Sequence, residues 1–230
     1  MLSATERCCA PYDTIAIMRI GVLSLLGLLL VSACTMPSVA APAVKSAPGT
    51  VIVQDDFNSP VSGWDHLKYE EGIMDYYNGG YRMHVDLSDI NMWATPKKDV
   101  ADVRLEVDAG KLDGPDENRI GLICRSDGSN YYFFIISSDG YYGVGLFRGG
   151  QTHLIGQDQM LPSTAIHVGM AVNHLRFDCQ GPQLTAFVNG LQLAQVQDTT
   201  LQHGDIGILT GSFQATGVDI VYDNFVALAP

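Results

Sequence analysis

The chain has 230 residues, with 13 Lys and Arg against 25 Asp and Glu, a net charge of −12 at pH 7 and 47% hydrophobic residues. With no basic cluster beyond Lys97 and Lys98, such a chain repels polyanions, which excludes nucleic acid as a partner. The length allows one domain with a substantial core and is short for two.

In chain order, the first feature is the run from Ile20 to Ala33 (IGVLSLLGLLLVSA), apolar and small throughout and ending at Cys34. A membrane-spanning helix needs about 20 apolar residues, whereas a secretory signal core needs about 7 to 15 followed by small residues at the cleavage point. The second description fits. Val31, Ser32, Ala33 and Cys34 resemble the lipobox of bacterial lipoproteins, in which the cysteine thiol takes a diacylglyceryl group. Glu6 and Asp13 put acid where such a signal should be basic, and a start at Met18, followed by Arg19, removes the conflict. An uncleaved anchor or a non-lipidated signal are the alternatives, and both also export the chain. The expected organisation is a signal peptide over 1–33, a lipid anchor at Cys34 with a tether to residue 50, and a domain over 51–230. The location is extracytoplasmic, in the cell envelope, with the membrane as partner through lipidated Cys34.

Residues 35 to 50 (TMPSVAAPAVKSAPGT) lack any hydrophobic period. A Pro-rich tether of this length reaches roughly 50 Å when extended. Cys8 and Cys9 lie in the signal, so Cys124 and Cys179 are the thiols left in the domain. In an oxidising compartment they either pair as a disulfide or are buried separately.

From Val51 onward the pattern is that of strands. Asp139-Gly140, Gly149-Gly150 and Asn189-Gly190 sit between apolar or alternating runs, the signature of tight hairpins that need positive φ. Strands are predicted near 51–57, 72–77, 80–87, 99–109, 118–125, 131–137, 141–148, 173–179, 183–188, 191–196, 204–210 and 217–228, and no helical stripe is visible. This predicts a sandwich or barrel. A two-residue loop at Asp139-Gly140 would pair Ile136 with Gly143, Phe134 with Gly145 and Tyr132 with Phe147. Both faces of that hairpin would be apolar, with rings folded over bare glycine backbone.

The order of the runs is distinctive: DDF through GW at 55–64, GGYRMHV at 79–85, NRIGLICRSDGSNYYFFIISSDGYYGVGLF at 118–147, NHLRFDCQGPQLTAFVNG at 173–190, GDIGILTG at 204–211 and YDNF at 222–225. It resembles the concanavalin A-like lectin and glucanase superfamily, in particular the laminin G-like and keto-disaccharide hydrolase-like jelly rolls. The resemblance implies an all-β antiparallel jelly-roll sandwich with adjacent terminal strands, and carbohydrate binding on a concave face or at rim loops.

Glucanases of that superfamily carry Glu-x-Asp-x-x-Glu on one strand. Here Glu106 and Asp108 match the first two positions and Lys111 replaces the third, so they are weak catalytic candidates, since a retaining glycosidase needs two carboxyl groups. The histidines lack ligand spacing, and GxSxG is missing. The resemblance places Asp56 beside Asp223 and Asn224, which could hold calcium; the alternative is that these side chains cap backbone amides. Among many Trp and Tyr rings, Trp93, Tyr141 and Tyr142, with Arg125 and Asp139 as polar neighbours, are expected to hold a sugar by ring stacking and hydroxyl bonding. The expected function is a non-catalytic, lipid-anchored module binding a glycan, envelope polymer or protein. A saccharide-acting hydrolase and a purely structural envelope lipoprotein are the alternatives.

Overall fold

The computed structural model describes residues 46–230; the signal, Cys34 and most of the tether lie outside the described residues. Sixteen strands and no helix make up the described chain. They are β1 (Val51–Asp55), β2 (Leu67–Tyr69), β3 (Gly72–Tyr77), β4 (Gly80–Val85), β5 (Asn91–Ala94), β6 (Val103–Asp113), β7 (Asn118–Ser126) and β8 (Tyr131–Ile136), then β9 (Tyr141–Arg148), β10 (Gln151–Leu154), β11 (Leu161–Pro162), β12 (Val172–Gln180), β13 (Gln183–Val188), β14 (Leu191–Gln197), β15 (Asp205–Ser212) and β16 (Val218–Leu228). One sheet runs β14-β13-β12-β6-β16-β4-β3-β2, with β1 also on β16, and the other runs β10-β9-β8-β7-β15-β5, with β11 on β9. All pairings are antiparallel. This is the expected jelly-roll sandwich.

The four strands that the sequence pattern did not predict are β2, β5, β10 and β11. Each has two to four residues, too few for an alternation to register. They lie at sheet margins, where one partner strand supplies the hydrogen bonds.

The core between the sheets follows the alternation of β6, where Val103, Leu105, Val107 and Ala109 point inward and are buried. Several links join the sheets. Phe134 and Phe177 meet with ring centroids 6.1 Å apart. Tyr222 on β16 donates to the Leu209 carbonyl (2.6 Å) and shares a 2.9 Å bond with Thr210 on β15. Cys124 on β7 and Cys179 on β12, both fully buried, form a disulfide with Cα atoms 6.8 Å apart.

The β8–β9 hairpin departs from the predicted register by one residue. Tyr131 pairs with Phe147, Phe133 with Gly145, Ile135 with Gly143 and Ile136 with Tyr142. The loop has an extra residue: Gly140 N–H bonds to the Ser137 carbonyl (3.0 Å), Ser137 N–H to the Tyr141 carbonyl (2.8 Å), and Gly140 takes φ 97°. A turn closed by a glycine bulge shifts the pairing by one relative to a two-residue turn. The ring over bare backbone is therefore Phe133 over Gly145, where an added Cβ would lie 2.4 Å from the ring. Tyr132, Phe134, Ile136, Val144 and Leu146 enter the main core, while Tyr131, Phe133 and Ile135 join Ile123 and Leu209 in a second apolar layer on the outer face.

The disulfide bridges residues 55 apart in sequence, so the chain-entropy cost it removes from the unfolded state is about 4 kcal/mol. Replacing both cysteines by serine should lower the unfolding free energy by about 2 to 4 kcal/mol in a urea titration, and reductant should have no further effect on that variant.

Candidate ligand cleft on the outer face of the second sheet

Side chains on the outer face of the β10-β9-β8-β7-β15-β5 sheet come from alternate residues: Trp93 and Asn91 on β5, Leu209 on β15, Arg119 and Ile123 on β7, Tyr131 on β8, and Phe147 on β9. Tyr131 and Asn91 stand three strands apart and are offset by six residues in register, about 20 Å of extended chain. Even so, the Asn91 side-chain amide donates to the Tyr131 hydroxyl at 3.3 Å. The sheet therefore curls over this face and makes it concave across that diagonal.

Two rings, Trp93 and Phe147, line the hollow, and both pack on a third that is buried behind them. Tyr131 is fully buried, stacks on Phe147 at 5.0 Å with an interplanar angle of 14°, and meets Trp93 at 5.3 Å. Trp93 and Phe147 are half-buried, so parts of both rings face solvent. Opposite them Arg119 donates to Asn91 Oδ1 (3.0 Å) and Asp89 Oδ1 (3.1 Å) and lies 4.1 Å over the Phe213 ring. Asp89, Asn91, Trp93, Arg119, Phe147 and Thr152 border a cleft of about 520 Å³, within the range of small-ligand sites. Asp89 is the one carboxylate and Arg119 the one cation on its lining. Such a surface offers apolar ring faces beside a fork of donors and acceptors. Burial pushes the Tyr131 phenol up to about 12, with the Asn91 bond and the Arg119 charge pulling the other way.

The sequence-predicted residues are divided among several places. Trp93 borders the cleft. Tyr141, 41% exposed, and Asp139, which accepts the Ser137 hydroxyl, border a separate groove of about 300 Å³ with Glu117, Met160 and Phe213. Tyr142 is one residue out of phase; its side chain turns inward and its hydroxyl donates to the Leu193 carbonyl at 3.0 Å. Arg125 is a correction: it is 2% exposed and donates to the carbonyls of Ala101 (2.8 Å), Leu201 (3.0 Å) and Gly181 (2.8 Å). A register irregularity opposite Asp205 and Gly207, with Arg125 at φ 54°, turns the side chain toward these loops. Burial pushes its guanidinium down, against the opposing effects of Asp102 and Tyr132.

Glu106 and Asp108 lie on the other sheet. His174 binds both, Nδ1 to Asp108 at 2.7 Å and Nε2 to Glu106 at 3.4 Å, and Asn224 donates to Asp108 at 2.9 Å. Lys111, the third position of that pattern, is buried and bonds to the Gly114 carbonyl (3.0 Å) and to Asp116. The geometry is that of mutually satisfied surface groups. The expected calcium ligands are likewise engaged locally. Asp56 accepts Asn58 N–H (3.1 Å) and Asp223 accepts Asn224 N–H (2.7 Å), and no group of three or more His, Cys, Asp or Glu among the described residues could hold a metal ion.

Sequence reasoning missed Asp89, Asn91, Arg119 and Phe147 as site residues. Arg119 carried a usable signal, because it shares a strand face with Gly121 and Ile123, where a charge is out of place.

No protein-family model matches this chain, and no curated protein matches it. Among solved structures it is similar to the carbohydrate-binding module CBM66 from Bacillus subtilis, at 18% identity and TM-score 0.60, covering 72% of this chain and 95% of that one. It is similar to a Bacillus subtilis protein of unknown function with a galectin-like fold, at 13% identity and TM-score 0.58, covering 80% and 97%. It also resembles part of a xylan β-1,4-xylosidase from Bacillus halodurans, at 12% identity and TM-score 0.53, covering 84% of this chain and 41% of that one. At these identities the likeness is one of fold.

Because the folded state holds the Tyr131 proton more tightly than the unfolded chain does, the associated stability is fully present below pH about 10 and is lost as pH rises toward 12. A phenolate absorbance titration should show a step near pH 12 that is missing in Tyr131→Phe.

Proposed function

We propose that this protein is an exported, lipid-anchored module that binds carbohydrate in the cleft bordered by Trp93, Phe147, Asn91 and Arg119, without catalysing a reaction on it. The observation that carries this reading is the pairing of two half-exposed rings, packed on buried Tyr131, with the Asp89–Arg119–Asn91 cluster. A pyranose or furanose has an apolar face that can lie on a ring and hydroxyls that need both donors and acceptors, and this cleft supplies both. The names of the structural neighbours, a carbohydrate-binding module and domains of saccharide hydrolases, agree with that ligand class.

Two features favour binding over hydrolysis. Glycosidases of the common retaining and inverting types need a pair of carboxyl groups flanking the bond, and the lining of the cleft holds Asp89 alone. Glu106 and Asp108, the other acidic pair considered, belong to the opposite sheet and are occupied by His174.

Export and anchoring rest on the apolar run before Cys34 and on its lipobox-like residues. The disulfide between Cys124 and Cys179 agrees with an oxidising compartment.

Affinity electrophoresis of the full chain in detergent, through gels containing single polysaccharides, should show retardation by at least one polymer. Trp93→Ala should weaken that binding about tenfold at a temperature where circular dichroism shows the variant folded; unchanged retardation would falsify the cleft as the site. Metabolic labelling with a fatty acid should mark the wild-type protein and fail to mark Cys34→Ser.

A further inference from the structure

The cleft does not end at Arg119. Its guanidinium lies over Phe213, which lines the second groove with Glu117, Asp139 and Tyr141. The Arg119–Phe213 contact thus forms a ridge between the two hollows, Arg119 lining one and Phe213 the other. One end of the cleft and the second groove lie along one transverse row of the sheet. Asn91 and Arg119 each pair with Gly211. Ser137 follows Ile136, which pairs with Ile120, and it bonds to Tyr141 on the next strand. From Asn91 to Tyr141 the row crosses four strand spacings, about 19 Å. That is the span of a short chain of sugars rather than of one sugar. Gly211 makes room for the Asn91–Arg119 bond that crosses it, because a Cβ there would lie 2.3 Å from Asn91 Oδ1.

We propose, resting on the carbohydrate reading of the cleft, that the ligand is an uncharged glycan chain bound along its length, running from Trp93 over the Arg119–Phe213 ridge to a second stacking platform at Tyr141. Charge selects against an anionic chain: Asp89, Glu117 and Asp139 line the path against the single cation Arg119, and the whole chain carries −12. Tyr141 is exposed and its side chain is free to meet a ring, whereas neighbouring Tyr142 is committed to the Leu193 carbonyl.

Calorimetric titration of the full chain with linear oligosaccharides of glucose, xylose, mannose, galactose or fructose, from disaccharide to hexasaccharide, tests this. For the sugar type that binds, affinity should rise with length. Tyr141→Ala should cost about fivefold to tenfold for the hexasaccharide and nothing for the disaccharide, and oligogalacturonides of the same lengths should not bind. Affinity independent of length, an equal effect of Tyr141→Ala at all lengths, or tight binding of oligogalacturonides would overturn the extended neutral path while leaving the cleft reading intact. If no oligosaccharide binds, and polysaccharides fail to retard the protein as well, the carbohydrate reading itself fails.

Discussion

Strand β8 buries all six of its residues, and because successive side chains point to opposite faces of a sheet, it must be covered twice. One cover is the other sheet, whose Phe177 meets Phe134. The second has to come from the same sheet, by curling over its own outer face until Trp93, Leu209, Ile123 and Phe147 close around Tyr131 and Phe133. Glycines make the curl sterically workable. Gly145 accepts the Phe133 ring, and Gly143 accepts Leu154 and Met160 from the segment after β9. That segment covers only part of the layer, and the cleft is the part it leaves open. Cleft and fold stability therefore share one constraint, and Tyr131 serves both, as the buried ring on which Trp93 and Phe147 pack.

The remaining polar groups are mostly paired with one another. On the outer face of the first sheet, Arg82 binds Asp219 through two nitrogens (2.7 and 2.5 Å), Arg176 binds Asp178 in the same way (2.8 and 2.5 Å), and His174 holds Glu106 and Asp108. Partly exposed pairs of this kind contribute little to stability, but they leave few unpaired groups to act on a ligand. Arg119 differs because its partners sit at the rim of a hollow and its guanidinium, with five donors in all, has bonds left to offer.

Much of the architecture was legible in the chain. The Asp-Gly and Asn-Gly turns and the alternation of β6 are local, and local rules of period two and positive φ describe them. The site was legible only in part. The ring of Trp93 points to a ligand from sequence alone, and it borders the cleft. Arg125, expected as a polar neighbour of the rings, is instead a buried clamp, because the backbone irregularity that redirects it depends on the β15 partner. Tyr142 faces inward, away from the expected ligand, because one extra turn residue exchanges the two faces of β9.

Period, turn chemistry and thiol count were readable before any fold was known, because each depends on residues adjacent in the chain. They specify strands, hairpins and an all-β domain. Which faces of those strands meet, that Cys124 reaches Cys179, and that Asn91 touches Tyr131 across three strands were decided by tertiary structure. The reason is geometric: a single-residue slip reverses every side chain on a strand, and sheet curl brings together side chains that sequence distance and register both keep apart.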